Sequence, residues 1–270
     1  MTMRGIRGTV GRCLSVVLFL LSPPALAAQH PAPGDGADAG EVTPGVVRGR
    51  SAGTGAAPVL QATRLEGAVT LDGLMEEEAW GRATVATGFV QFEPDEGAPA
   101  SERTEARVLY GDDALYVFMR AWDSSPDSIV GQVTRRDQPS YSDVLGVVID
   151  SYFDRRTAFQ FAVNPVGVKY DIYRFDDTQE DVGWDAVWDV ATSRDARGWS
   201  AEFRIAYSQL RFSGDPGQTW GINFVRDIAR REESSMWAPT VQDDGAVVSR
   251  FGELQGLRDL DPPKRLEILP

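Results

Sequence analysis

The stretch Arg155-Arg-Thr-Ala-Phe-Gln-Phe-Ala-Val-Asn-Pro-Val-Gly-Val-Lys-Tyr-Asp-Ile-Tyr-Arg174 decides the fold class. Phe159, Phe161 and Val163 alternate with Ala158, Gln160 and Ala162, the period of two expected of a strand with one buried face. Asn164-Pro-Val-Gly167 then reads as a turn, because proline presets φ at the second position and glycine accepts a positive φ. The chain returns through Val168–Tyr173 as a second strand, so the segment is a β-hairpin and points to an all-β domain.

The same punctuation repeats on both sides. Upstream, Val144–Ile149 is a nearly continuous apolar run, consistent with a strand buried on both faces. Thr104–Tyr110 and Leu115–Ala121 pair across the turn residues Gly111-Asp-Asp-Ala114. Phe89–Phe92 and Val69–Gly73 read as shorter strands, and Glu76–Ala83 as a short helix with Trp80 on its buried side. Downstream, Val187–Thr192 and Trp199–Ile205 form a hairpin around Arg194–Gly198, and Trp220–Ile228 and Ser235–Ala238 are the last long strands. Many short strands at regular spacing, with few helices, predict a β-sandwich.

The ends of the chain read differently. Arg4, Arg7 and Arg12 precede the apolar run Cys13–Leu21, and Ala25-Leu-Ala27 offers a small-residue cleavage site, so residues 1–27 read as a signal peptide for export. The run is too short to span a membrane as a helix. Residues 28–58, rich in Ala, Gly and Pro, read as a flexible linker. Residues 59–258 form the folded unit, and 259–270 read as the start of a missing C-terminal region. The exported protein is expected in the periplasm, at the outer membrane or outside the cell.

Composition excludes several function classes. The formal charge is −13, and loss of three arginines with the signal peptide takes it to −16, which argues against a nucleic-acid partner. Cys13 is the only cysteine and His30 the only histidine, both outside the predicted domain. The domain therefore carries no disulfide, no thiol nucleophile and no histidine-dependent triad. No phosphate-cradling glycine loop or serine elbow is present. Two carboxylates suitably spaced for glycoside hydrolysis are trivially available among forty acidic residues, so their number carries no information.

Several ordered segments together resemble carbohydrate-binding module family 9. They are Leu71-Asp-Gly-Leu-Met-Glu-Glu-Glu-Ala-Trp80, Ala106-Arg-Val-Leu-Tyr-Gly-Asp-Asp-Ala-Leu-Tyr-Val117, Asp143-Val-Leu-Gly-Val-Val-Ile-Asp150, Phe161-Ala-Val-Asn164, Gly198-Trp-Ser-Ala-Glu-Phe-Arg-Ile205, Trp220-Gly-Ile-Asn-Phe224 and Phe251-Gly-Glu-Leu254. Segments at Arg135, Asp154 and Arg226 (Arg-Arg-Asp-Gln, Asp-Arg-Arg-Thr-Ala-Phe and Arg-Asp-Ile-Ala-Arg-Arg) are similar to a subgroup at the N-terminus of bacterial outer-membrane proteins of undefined function. The resemblance implies an antiparallel jelly-roll β-sandwich with one or two short helices, structural calcium, and binding of polysaccharide or oligosaccharide chain ends between two tryptophans. It also implies a β-barrel later in the same chain. The module itself reads as binding rather than catalysis; within an enzyme it would accompany an O-glycosyl hydrolase in carbohydrate catabolism. A third reading is a docking domain that binds no sugar.

Four positions of the implied sugar site are changed here. Ser140-Tyr141 stands at the first clamp tryptophan, Gly146 at a glutamate, Ala162 at an arginine, and the loop Asp243–Val247 at the second clamp tryptophan. Replacement platforms are sought in Trp184 and Trp188, which follow an acidic run, with Tyr141, Tyr173, Arg135 and Arg136 as further sugar-binding candidates. The alternative for the two tryptophans is a loop anchor folded onto the sandwich, and for the arginine pairs a network of inter-loop salt bridges. Trp80, Trp199, Trp220 and Trp237 read as core. Asp176, Asp177, Glu180, Asp181 and Asp185 concentrate the oxygen ligands that Ca2+ takes, and Asp112, Asp113, Asp123 and Asp127 form a second such group.

Overall fold

The computed structural model describes residues 45–49, 56–242 and 245–262. The expected signal peptide with Cys13, His30 and residues 263–270 of the C-terminal 259–270 segment lie outside them. The expected linker 28–58 is described at residues 45–49 and 56–58. There Val46–Arg48 forms a strand, β1, where the composition predicts irregular chain; it pairs in parallel with Val85–Thr87 at a sheet edge.

The protein is an all-β sandwich of two sheets. The following strands are β2 (Val59–Gln61), β3 (Thr63–Arg64), β4 (Val85–Thr87), β5 (Val90–Glu93), β6 (Thr104–Tyr110), β7 (Ala114–Trp122), β8 (Val144–Asp150), β9 (Ala158–Val163), β10 (Lys169–Phe175) and β11 (Gln179–Asp181). They continue with β12 (Asp189–Asp195), β13 (Gly198–Ala206), β14 (Gly217–Ile228), β15 (Glu233–Met236) and β16 (Gly252–Arg258). One sheet runs β1-β4-β6-β7-β13-β12, with β3 beside β6. The other runs β11-β10-β9-β8-β14-β15-β5, with β16 on β14 and β2 on β16. The long pairings are antiparallel; the short β1, β2 and β3 contacts are parallel, a departure from the antiparallel expectation.

The deciding hairpin forms as its pattern dictates. The Gly167 amide donates to the Asn164 carbonyl, the Asn164 side chain accepts from Val166 and Val168, and Gly167 takes φ of 84°. Phe159, Phe161 and Val163 enter the main core with Leu145, Val147 and Ile149 of β8. Trp188, Trp199, Trp220 and Trp237 join them, while Trp80 packs with Phe118 in a second cluster under the one α-helix among the described residues, α1 (Glu78–Arg82). Buried Arg226 ties the two sheets from the inner face of β14: its guanidinium donates to the carbonyls of Arg103 and Trp122 and to the Thr104 hydroxyl.

One expected strand is absent. Val69–Gly73 is irregular because its donors are claimed by side chains. Thr70 N–H donates to Glu77, and the Asp72 and Gly73 amides donate to the Glu202 carboxylate. The acidic segment after β10, expected as a loop, instead turns through Asp176 and Asp177 at positive φ and returns as β11 against β10.

Candidate functional site

The outer face of the nine-stranded sheet divides in two. At one end Val148 and Ala158 are covered by Val248 and Phe251, which forms a small apolar cluster. At the other end the face is open. Direct cross-strand partners share a face, so register places Glu93, Ser234, Asp227 and Val144 in one row from β5 through β15 and β14 to β8. Gly146, Ala162 and Tyr170 form the next row across β8, β9 and β10, and Gln160 and Ile172 are paired beyond it.

These rows floor a cleft of about 430 Å³, walled by Pro94, Pro139, Ser140, Tyr141, Ser142, Glu232, Glu233 and Gln242. That volume is in the range of small-ligand sites. Tyr141 is 41% exposed, so much of its side chain is available to a ligand. Tyr170 is held by a hydrogen bond between its hydroxyl and that of Ser140 at 2.9 Å. The Gln160 oxygen accepts from Arg174, which leaves its NH2 group as a donor. The floor is deep because Gly146 and Ala162 are small: a Cβ on Gly146 would lie 3.1 Å from the Ala162 Cβ.

The electrostatics of the cleft are one-sided. Glu93, Asp227, Glu232 and Glu233 line it, and no lysine or arginine does. Burial raises the Asp227 carboxyl to about 7; the Ser234 hydroxyl opposes this, and the nearby Asp143 and Glu93 charges reinforce it. One Asp227 oxygen is buried without a hydrogen-bond partner. Burial also raises Glu93. Behind the floor, burial pushes Asp143 to about 6 against the pull of Arg226 and Arg230.

The candidates named from the sequence do not assemble into one site. Tyr141 lines the cleft. Trp188 is 2% exposed, stacked on Phe203 at a ring distance of 5.8 Å, so the structure places it in the core rather than on a platform. Trp184 and Tyr173 are half-buried and pack against Phe159 on the inner side of the sheet, away from Tyr141. This is the loop-anchor arrangement: packing on Phe159 and Phe161 removes apolar indole area from water, which is favourable even with carboxylates nearby in the chain. Arg136 bonds the buried Asp171, the Ala186 carbonyl and Asp185, which takes it into the same inner network, and Arg135 is exposed outside the cleft lining.

The acidic segment does not fit a calcium ion. Asp176 pairs with Arg156, Glu180 with Arg174 and Asp185 with Arg136. Asp177 accepts from Val247 and Ser249, and Asp181 from the Gly183 amide. The oxygens are thus dispersed among separate partners, whereas Ca2+ needs six to eight of them converging. In the second group, Asp112, Asp113 and Asp123 are likewise taken by Arg64, Arg204 and Arg230. No group of three or more such residues is gathered for a metal among the described residues.

Glu93, Gln160 and Tyr170 are not singled out by the sequence, and Asp227 stands there only as an acidic neighbour of the Arg230-Arg231 pair in the expected salt-bridge network. Gln160 is the polar member of the Phe159–Phe161 alternation, so its place on an outer face was legible; the concavity of that face was not. Of the four positions that the family resemblance marks as changed, Ser140-Tyr141, Gly146 and Ala162 lie in or directly beneath the cleft, whereas the described part of the fourth, residues 245–247, lines a separate smaller pocket beside Arg174 and Glu180.

No family model matches the sequence, and no curated protein matches it either. Solved structures do match the fold. A family 9 carbohydrate-binding module from Caldicellulosiruptor kristjanssonii in complex with cellotriose superposes with a TM-score of 0.54 at 18% identity, covering 78% of this chain and 98% of the module. A module of the same family and organism in complex with glucose gives 0.53 at 16% identity, over 78% and 100% of the two chains. A candidate carbohydrate-binding protein from Bacteroides uniformis gives 0.57 at 11% identity, over 73% and 98%. The fold is that of a family 9-like carbohydrate-binding module.

Proposed function

We propose that this chain is a carbohydrate-binding module and that its ligand site is the cleft on the outer face of the nine-stranded sheet. The observation that carries the reading is the position of that cleft. It opens where the resemblance to family 9 sets the first clamp tryptophan, yet it is built from different residues. Tyr141 supplies the platform in place of a tryptophan, since a sugar ring presents apolar C–H groups that stack on an aromatic face. Gln160, Ser234, Glu93 and Asp227 supply partners for hydroxyls. No residue here is assigned a catalytic step; the chain works by reversible binding, and any glycosidic hydrolysis belongs to another part of a longer protein. The N-terminal Arg4–Ala27 pattern supports export, and the ligand is then an extracellular or envelope polysaccharide or a fragment of one.

A second reading, a docking domain beside an outer-membrane barrel, is favoured by the changes at Gly146 and Ala162, which remove two polar groups that the family resemblance assigns to sugar. Titration calorimetry with cellotriose and with a panel of neutral and charged oligosaccharides separates the two. Binding that Tyr141→Ala weakens by about tenfold or more, with an unchanged unfolding temperature, supports the sugar site. Silence from a folded chain toward neutral and charged oligosaccharides alike favours docking.

A further inference from the structure

The charge of the cleft narrows the ligand. Several semi-buried carboxylates elsewhere are matched by arginine, Asp123 by Arg230, Asp171 by Arg136, Glu105 by Arg107 and Glu180 by Arg174, and buried Glu202 and Asp150 are matched by backbone or indole N–H donors. In the cleft the matching stops. Glu93 and Asp227 lie on one cross-strand row with only Ser234 between them, about 10 Å apart along the sheet. The two arginines next in sequence, Arg230 and Arg231, turn away to Asp123 and Glu102. Arg174, which bonds the cleft residue Gln160, is itself neutralised by Glu180 at 2.6 Å. The charged groups acting on Asp227 are Asp143 and Glu93, both of its own sign. Its buried, unpartnered oxygen belongs to the carboxylate that lines the floor.

Resting on the sugar-binding reading above, we infer that the cleft selects a sugar carrying a protonated amino group, a hexosamine unit whose nitrogen is not acetylated. A neutral sugar satisfies hydrogen bonds on this row and leaves the negative charge uncompensated. An ammonium group offers three donors and one positive charge to the row of Asp227, Ser234 and Glu93, while Tyr141 takes the apolar face of the ring. Sulfated, phosphorylated and uronic sugars are repelled by the same row.

The test uses three tetrasaccharides with the same β-linked glucose backbone that differ only at the second carbon: tetraglucosamine, tetra-N-acetylglucosamine and cellotetraose. Calorimetry on the full chain near pH 6.5 and at low salt is expected to give tetraglucosamine an affinity about tenfold or more above cellotetraose. The excess should shrink as salt rises, and binding should release a proton from the cleft. Asp227→Asn should collapse the ratio toward one, and Glu93→Gln serves as an independent variant if the first is poorly folded. Equal or better binding of cellotetraose overturns this inference and leaves the sugar site standing. Binding of none of the three by folded protein overturns both.

Discussion

Two regions of the molecule bury a carboxyl group that is pushed up to about 7 by loss of water, and they use it in opposite ways. On the seven-stranded sheet, Glu202 of β13 is 0% exposed and accepts from the Asp72 and Gly73 amides and from the Trp80 indole at 3.0 to 3.1 Å. On the nine-stranded sheet, Asp227 of β14 has the Ser234 hydroxyl and an oxygen with no partner at all. A perturbed pKa therefore marks burial in both places and distinguishes nothing. The donor inventory does. Glu202 replaces a strand's hydrogen bonds for the irregular segment Val69–Gly73 and so closes one layer of the fold. Asp227 leaves a bond unmade, inside a cleft that a ligand can enter.

The comparison breaks most visibly at Glu202. Glu202→Ala strands two buried donors, the Gly73 amide and the Trp80 indole, and the part-buried Asp72 amide, at a cost of about 3 kcal/mol. For a domain of this size that lowers the unfolding temperature by roughly 6 to 12 °C. Calorimetric melting is the measurement, and a loss under about 1 kcal/mol would mean the loop finds other acceptors and the carboxylate is dispensable. The same substitution leaves the cleft residues untouched, so ligand affinity of the folded fraction should hold.

At Asp227 the expected sign is reversed. Asp227→Asn keeps the shape, removes a charge that faces Asp143 and Glu93, and should stabilise the empty protein by about 1 kcal/mol at pH 8 while weakening the ligand. Denaturant titration reads the first effect and calorimetry the second. If the variant were less stable than its parent, the carboxylate would have a structural partner and the contrast with Glu202 would be lost.

How much of this was legible beforehand follows from the range of the interactions involved. The hairpin around Asn164–Gly167, the β6–β7 pair and α1 rest on alternation, turn residues and the helix's apolar side, all local, and the sequence shows them. Val69–Gly73 was misread as a strand because its hydrogen-bond acceptors are supplied by Glu202, about 130 residues away. Tyr141 was reachable through the family resemblance. Asp227 was hidden because Arg230 and Arg231 stand beside it in sequence; the short helical turn at Ala229–Arg231 carries them to Glu102 and Asp123 instead. Trp184 and Trp188, adjacent to acidic residues along the chain, are packed inward by Phe159, Phe161 and Phe203.

The smallest effect is also the one that tests both carboxyls in one experiment. Burial lifts Glu202 and Asp227 to about 7, and Asp143 and Asp150 to about 6, all above the ordinary values of 4.5 for glutamate and 3.8 for aspartate. Between those limits the folded state holds more protons than the unfolded chain, so stability falls as pH rises from about 5 to 8. Asp123, Asp177 and Asp195, whose pKa values are lowered, act the other way and withdraw stability only as pH drops below about 4. The protein should therefore be most stable near pH 5, and the decline toward pH 8 should be shallower in Asp227→Asn. Glu202→Gln should flatten the slope too, but from a lower starting stability, because its amide can no longer accept from all three donors. Equal slopes in the parent and in Asp227→Asn would show that the cleft carboxyl ionises freely in the empty protein. The unpartnered oxygen would then be solvated, and the argument for a cation in that cleft would fall with it.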